Sequence, residues 1–437
     1  MSLGLHKQCL DRLSEVIRLG LERVRVNNRM FVHRPSMLTL LDAEDVIPQT
    51  GKIRTSIEEY ITETPAFDFV YEVLSRELHE KQTFDSDVPM LPLGELAGYE
   101  DLGAVSARLV SEFNSLPWDY TLTIPLTSTI GEYFAKTLKS YEICESVRLV
   151  TPDDGFEQKY NLTSGIEARD QSLSGGALAS LLLRPRPPTW DRDTNHLQIL
   201  VIGFIGRYES TVPLELAIGR TKAFFGLSIA LRLFKLDRKY RATPPKAKFY
   251  IHRKIGDKWV VEGTRELESA QSEVFHDLVL HDLEGKLGTD QVREGWARRT
   301  LTKIGTVFRN EPRARRVLLA SQWLFDSHCG SDELLSFVQS AVVLEILLGD
   351  KAVSDLMGLG ELLRNRCAYL ISSTTQERER ILRDFKAIYE VRSSIVHAGK
   401  TRLNMNERHL FSRLQWMCRR VIQKEVELLE KEVNGDA

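Results

Sequence analysis

One stretch near the end of the chain, residues 374–399, most limits what it can fold into. Thr374 and Glu377 have the Thr-x-x-Glu spacing of a capping box, which satisfies two free amides at a helix start. Gly399 supplies the stop, because glycine takes the left-handed conformation that closes a helix. Between them Ile381, Phe385, Ile388, Arg392 and Ile395 recur along one helical face. The odd member is Arg392. A guanidinium among core positions must be paired or turned into a functional cavity, since an unpaired buried charge is costly. Upstream, Leu334, Val338, Ala341, Glu345 and Leu348 form a second stripe whose odd member is acidic. The two stripes predict that Glu345 holds Arg392, with His397 just beyond.

The surrounding periodicity predicts helices over 313–328, 332–348, 359–372, 376–397 and 405–431, five helices with short connections, which is a bundle over 311–437. At 437 residues the chain needs two or three cores. Residues 118–310 read as an α+β domain. A strand is expected at 120–126, a helix starting at Thr127 or Ser128, and a long irregular connection through 172–176 and 184–190. A strand at 197–209 and a helix at 214–234 follow, then a hairpin around Gly256 and Asp257 and a helix at 289–309 that leads into the bundle. Residues 1–117, with helices near 5–25 and 66–80, read as a helical, acidic N-terminal region. The fold class expected is α+β, a mixed α/β N-terminal region followed by an all-α C-terminal bundle.

Net charge is −2, but its distribution is uneven. Residues 41–101 hold fifteen Asp/Glu against four Lys/Arg, whereas 219–254 hold eleven Lys/Arg against Asp237 alone. The segments 291–316 and 400–424 are also basic, so a polyanion can be bound locally despite near-neutrality. An acidic 41–101 segment could occupy a basic groove until displaced. His276, Asp277, His281 and Asp282 are metal-binding residue types, but the histidines are five apart and a surface helix is the favoured reading. Glu284 and Lys286 have only a chance resemblance to the end of a nuclease motif, and Gly203 and Gly206 lack the spacing of a dinucleotide fingerprint. Five scattered cysteines, Cys9, Cys144, Cys329, Cys367 and Cys418, suit free thiols in a reducing cytosol. Neither a signal peptide nor an apolar run long enough to span a membrane is expected, and the localisation expected is cytoplasmic.

The runs FVQSAVVLEILLGD (337–350), LGELLRNRCAYLI (359–371) and IYEVRSSIVHAGK (388–400) resemble the Apea-like branch of the HEPN domains, and VLLASQWLFDS (317–327) fits that family's first helix. The resemblance covers about the last quarter of the chain and rests on the order of the helices, the embedded Glu345 and the Arg-x4-His spacing of Arg392 and His397. It implies a metal-independent endoribonuclease in which the 2′-hydroxyl of RNA attacks the adjacent phosphate, with no cofactor. Arg392 and His397 would be catalytic, Glu345 and Ser393 supporting, and Lys400, Arg402 and Arg408 would bind RNA. Histidine suits proton transfer near neutral pH, and arginine offers a planar fork to phosphate oxygens. Because five residues rotate about 140° on an ideal helix, either the helix ends or distorts near Val396, or the working site is composite. The family implies a homodimer through the bundle. It also implies a role in anti-phage abortive infection, with residues 1–310 answering a phage-derived trigger. Two departures stand out: Ser393 follows the arginine where Asn, Asp or His is common, and Ala398 separates His397 from Gly399. The rival readings are a non-catalytic RNA-binding or dimerisation module and a toxin silenced by an antitoxin.

Overall fold

The computed structural model describes residues 2–162, 189–208, 210–243, 245–282, 288–330, 332–350 and 358–435. The expected connection through 172–176 and 184–188, and Glu284 with Lys286, lie outside the described residues.

The first unit contains helices α1 (Lys7–Leu21), α2 (Lys52–Tyr60), α3 (Pro65–Lys81) and α4 (Leu102–Asn114), with a 3-10 stretch over Arg34–Val46. It is not wholly helical. Strands β1 (Arg25–Asn27), β2 (Phe31–Val32) and β3 (Leu91–Pro92) form an antiparallel sheet in the order β2-β1-β3. Segments of two or three residues leave no alternation to read, which is why the sequence points to helices alone. Asn28 and Arg29, at φ 51° and 61°, make the tight turn between β1 and β2. The unit's core runs from Leu3 to Leu116 and takes in Phe204 from beyond it.

The centre is a six-stranded antiparallel sheet in the order β10-β9-β4-β7-β6-β5. Its members are β4 (Trp118–Pro125), β5 (Ser140–Cys144), β6 (Val147–Val150), β7 (His196–Gly203), β9 (Lys248–Ile255) and β10 (Lys258–Glu266). The middle strand β4 aligns Leu122 with Ile199 on one side and Ile251 on the other, which stacks the apolar face. The expected hairpin turns at Gly256, φ +58°. The expected strand at 197–209 ends at Gly203, where a Cβ would lie 2.7 Å from the Tyr60 carbonyl oxygen. That glycine serves a close backbone approach. Helix α5 (Ser128–Thr137) starts after Thr127, whose hydroxyl donates to the Leu278 carbonyl oxygen instead of capping the helix. Among the described residues this unit also holds helices α6 (Asp154–Lys159), α7 (Val212–Ala230) and α8 (Ser269–Asp277), with a ribbon of β8 (Phe234–Leu236) against β11 (Leu278–Leu280).

Among the described residues six helices follow: α9 (Asp290–Arg309), α10 (Glu311–Asp326), α11 (Glu333–Leu348), α12 (Leu359–Ile371), α13 (Thr375–His397) and α14 (Met405–Gly435). Their bounds lie close to the periodicity. The fold is therefore α+β, with sheets in the N-terminal part and helices at the C-terminal end. The position 310 is a junction between two abutting helices inside one core, which runs unbroken from Tyr120 to Leu429. Helices α7 and α10 meet so closely at Gly226 that a Cβ there would lie 1.9 Å from the Ser321 carbonyl oxygen. Gln423 of α14 donates to the Ala230 carbonyl oxygen at 2.6 Å, joining the last helix to α7. Among the described residues no helix is long and apolar enough to cross a membrane, and the five cysteines are free.

Candidate functional site

Helix α13 begins as its sequence predicts, with one adjustment. Thr374 Oγ1 accepts from the Glu377 amide at 3.2 Å, while the Glu377 carboxylate reaches back to the amide and hydroxyl of Ser373, at 2.8 and 2.7 Å. It ends with Ala398 donating to the Ser394 carbonyl oxygen at 3.1 Å and Gly399 at φ +66°. The apolar stripe buries Ile381, Phe385 and Ile388 fully and Arg392 and Ile395 partly. On α11 the buried row is Phe337, Ser340, Ala341, Leu344 and Leu348, so Glu345 sits at its margin and not in its middle.

Arg392 and Glu345 meet across these two helices, Nη2 to Oε1 at 3.2 Å, each side chain about one-fifth exposed. The contact is electrostatic more than directional. Arg392 Nε is buried with no acceptor among the described residues, and Glu345 Oε1 receives no aligned donor. The guanidinium also lies 5.8 Å from the centre of the Tyr389 ring. That ring abuts Gly360 of α12, where a Cβ would approach Cε1 to 2.9 Å. Burial, followed by Glu345, raises the Tyr389 pKa. An arginine held by position rather than by a full set of hydrogen bonds keeps donors for an incoming anion.

His397 is exposed in the last turn of α13. The helix ends here, one residue past Val396 with Ala398 as its cap, so the expected end near Val396 is met, while the turns up to His397 remain helical without a distortion. Five residues on a regular helix separate Arg392 from His397 by about 140° of rotation and about 7.5 Å of rise. One chain does not bring the two side chains onto a common face. Ser393 is exposed on the same helix.

Of the three residues expected to bind RNA, two are already paired. Lys400 lies 2.9 Å from Glu407, which also accepts from the Asn404 amide at the start of α14. Arg408 lies 3.0 Å from Glu333. Arg402 is exposed on the loop between α13 and α14 and makes no ion pair among the described residues. Charge counting finds basic segments but not which cations a neighbouring carboxylate has claimed.

The His276–Asp282 cluster is not a surface helix. The chain passes from α8 into β11 between its two halves; Asp277 is buried against Arg241 at 2.5 Å, and Asp282 pairs with Arg293 at 3.2 Å. Among the described residues no group of three His, Cys, Asp or Glu side chains could hold a metal ion. The acidic N-terminal unit packs on α7 and β7 and reaches β10 through Arg76 and Glu262 at 2.9 Å. Sequence reasoning missed one grouping: Arg232, Lys235 and Arg238 stand across a cavity from Arg408, Arg419 and Arg420. The basic runs at 219–254 and 400–424 were its signal; His328, at the same place, left none.

The chain matches no family model, no curated protein and no solved structure.

Proposed function

We propose that the chain is a metal-independent endoribonuclease of the HEPN type, a cytoplasmic effector of abortive infection whose residues 1–310 answer a phage-derived trigger. The observation that supports this most is the pairing of Glu345 with Arg392 on adjacent helices, five residues before an exposed histidine at a helix end. In this reading the Arg392 fork faces the phosphate as negative charge builds on its oxygens, and Glu345 fixes the direction of the fork. The 2′-oxygen of the ribose bonds to phosphorus as the bond to the 5′-oxygen breaks. The 2′-proton leaves to a base and the departing 5′-oxygen gains a proton, with His397 placed for one of these transfers. The products are a 2′,3′-cyclic phosphate and a 5′-hydroxyl. Since one regular helix turns Arg392 and His397 apart, a working cleft takes Arg392 from one copy and His397 from the other, in a C2 homodimer through the bundle. Arg402, exposed and without an ion pair among the described residues, offers its charge to the RNA backbone beside that cleft.

A second reading, a non-catalytic RNA-binding or dimerisation module, draws support from the same geometry: Arg392 is engaged by Glu345, and Lys400 and Arg408 by Glu407 and Glu333. The test incubates the full chain, Arg392→Ala and His397→Ala with total RNA in excess chelator and maps the ends. Cyclic-phosphate ends from the wild type alone support the nuclease. Intact RNA under every condition, with retained RNA binding, supports the module.

A further inference from the structure

The two basic runs of the sequence meet between α7, β8 and the first half of α14. There they line a cavity of about 810 Å³, within the size range of small-ligand sites. Arg232, Lys235 and Arg238 stand on one side, and Arg408, Arg419 and Arg420 on the other. Glu333 is the one carboxylate lining it among the described residues, and Arg408 engages it at 3.0 Å. Arg238 Nη2 donates to the His328 carbonyl oxygen at 2.7 Å, and Arg420 Nη1 to Gln423 Oε1 at 2.9 Å. Arg232, Lys235 and Arg419 make no ion pair among the described residues. Their mutual repulsion is built into the fold, and an anion relieves it.

The buried end of the cavity adds a donor. His328 is 6% exposed, and its Nδ1 lies 3.5 Å from the Gln415 side-chain amide nitrogen; in the tautomer in which that amide donates to Nδ1, the ring carries its proton on Nε2. Nε2 is buried and finds no acceptor among the described residues. Burial, then Arg419 and Arg238, push the His328 pKa down to about 3, so the ring is neutral at physiological pH. A buried N–H without a partner is costly, and a phosphate oxygen would satisfy it. Burial, with Arg232 acting in the same direction, also lowers the Arg419 pKa. Phe411 and Trp416 line the same space and offer aromatic surface to a base.

We infer that this cavity binds a nucleoside di- or triphosphate, its phosphates among Arg232, Lys235 and Arg419 and a phosphate oxygen accepting from His328 Nε2. None of Glu345, Arg392, Ser393 and His397 lines it, so the inference does not rest on the nuclease reading. Lined on opposite sides by residues near β8 and by α14, the cavity places a nucleotide where it touches both the sheet unit and the last helix of the bundle.

Calorimetric titration of the full chain with ATP, GTP and inorganic pyrophosphate, beside a short oligouridine, tests it at near-physiological salt. The informative variant is Arg232→Asn with Lys235→Gln. Arg232 sits at φ +61°, a conformation asparagine tolerates, so the change removes charge with little backbone strain. Saturable binding of ATP or GTP at one site per chain is expected, with pyrophosphate competing. The double variant is expected to weaken it by about tenfold or more, with the unliganded unfolding midpoint unchanged or raised. If the double variant fails to fold, Arg232→Asn alone is read against the same threshold of a clear loss. Absence of saturable binding by ATP, GTP and pyrophosphate overturns the inference. So does binding that the substitutions leave unaltered, and so does oligouridine binding that depends on Arg232 and Lys235 when the mononucleotides do not bind.

Discussion

Subunit complementation tests the composite cleft directly. Helix α13 is regular from Thr375 to His397, so Arg392 and His397 of one chain are about 140° apart around its axis. If each cleft pairs Arg392 of one copy with His397 of its partner, Arg392→Ala and His397→Ala homodimers have no intact cleft. Equal amounts mixed and re-annealed give about half heterodimers, each with one of its two clefts intact, so activity should return to about a quarter of wild type. Neither substitution touches a fully buried side chain, so both variants should fold. The assay is the rate of cyclic-phosphate formation on RNA in chelator, after brief denaturant exchange, with the separately treated variants as controls. A mixture as inactive as its components, when size-exclusion and mass measurements show that heterodimers formed, refutes the shared cleft. Substantial activity in either variant alone refutes the roles given to these residues.

Two further outcomes concern stability. His196 and His252, 1% and 0% exposed, have pKa values pushed down to about 4 by burial. The folded values lie below the unfolded one, so stability is full above about pH 6.5 and falls as pH drops towards about 4. Each histidine should cost about 2 kcal/mol at pH 5 relative to pH 7.5, seen as a lower urea midpoint that His252→Asn partly flattens; a midpoint with the same pH dependence in that variant would refute the assignment. At the seam between α7 and α10, Gly226→Ala would put a methyl 1.9 Å from the Ser321 carbonyl oxygen. A loss of about 3 kcal/mol or more is expected, and a thermal midpoint within a degree or two of wild type would show that the helices part easily.

What the sequence makes legible follows the length of its periodic segments. The five C-terminal helices, the hairpin at Gly256 and the strand entering Gly203 each carry a long repeat or a turn signal. The hairpin of β5 and β6 and the small sheet of β1, β2 and β3 are too short for that. The pairing of Glu345 with Arg392 could be read because each charge breaks an apolar row. Its position at the margin of the buried face could not, since that depends on how α11 is rotated against α14. The engagement of Lys400 by Glu407 and of Arg408 by Glu333 is likewise set in three dimensions, as is the gathering of Arg232, Lys235 and Arg419. His328 gives no hint at all, for its environment is made by residues nearly a hundred positions away on either side.

The unbroken apolar interior from Tyr120 to Leu429 bears on how such a chain could arise. A bundle that shares its interior with a neighbouring sheet is not portable. Recombination at residue 310 would hand the recipient a half-core with its greasy side bare and leave the donor with the matching wound. A change of side-chain volume on the apolar face of the C-terminal helices is therefore felt by the sheet they lean on.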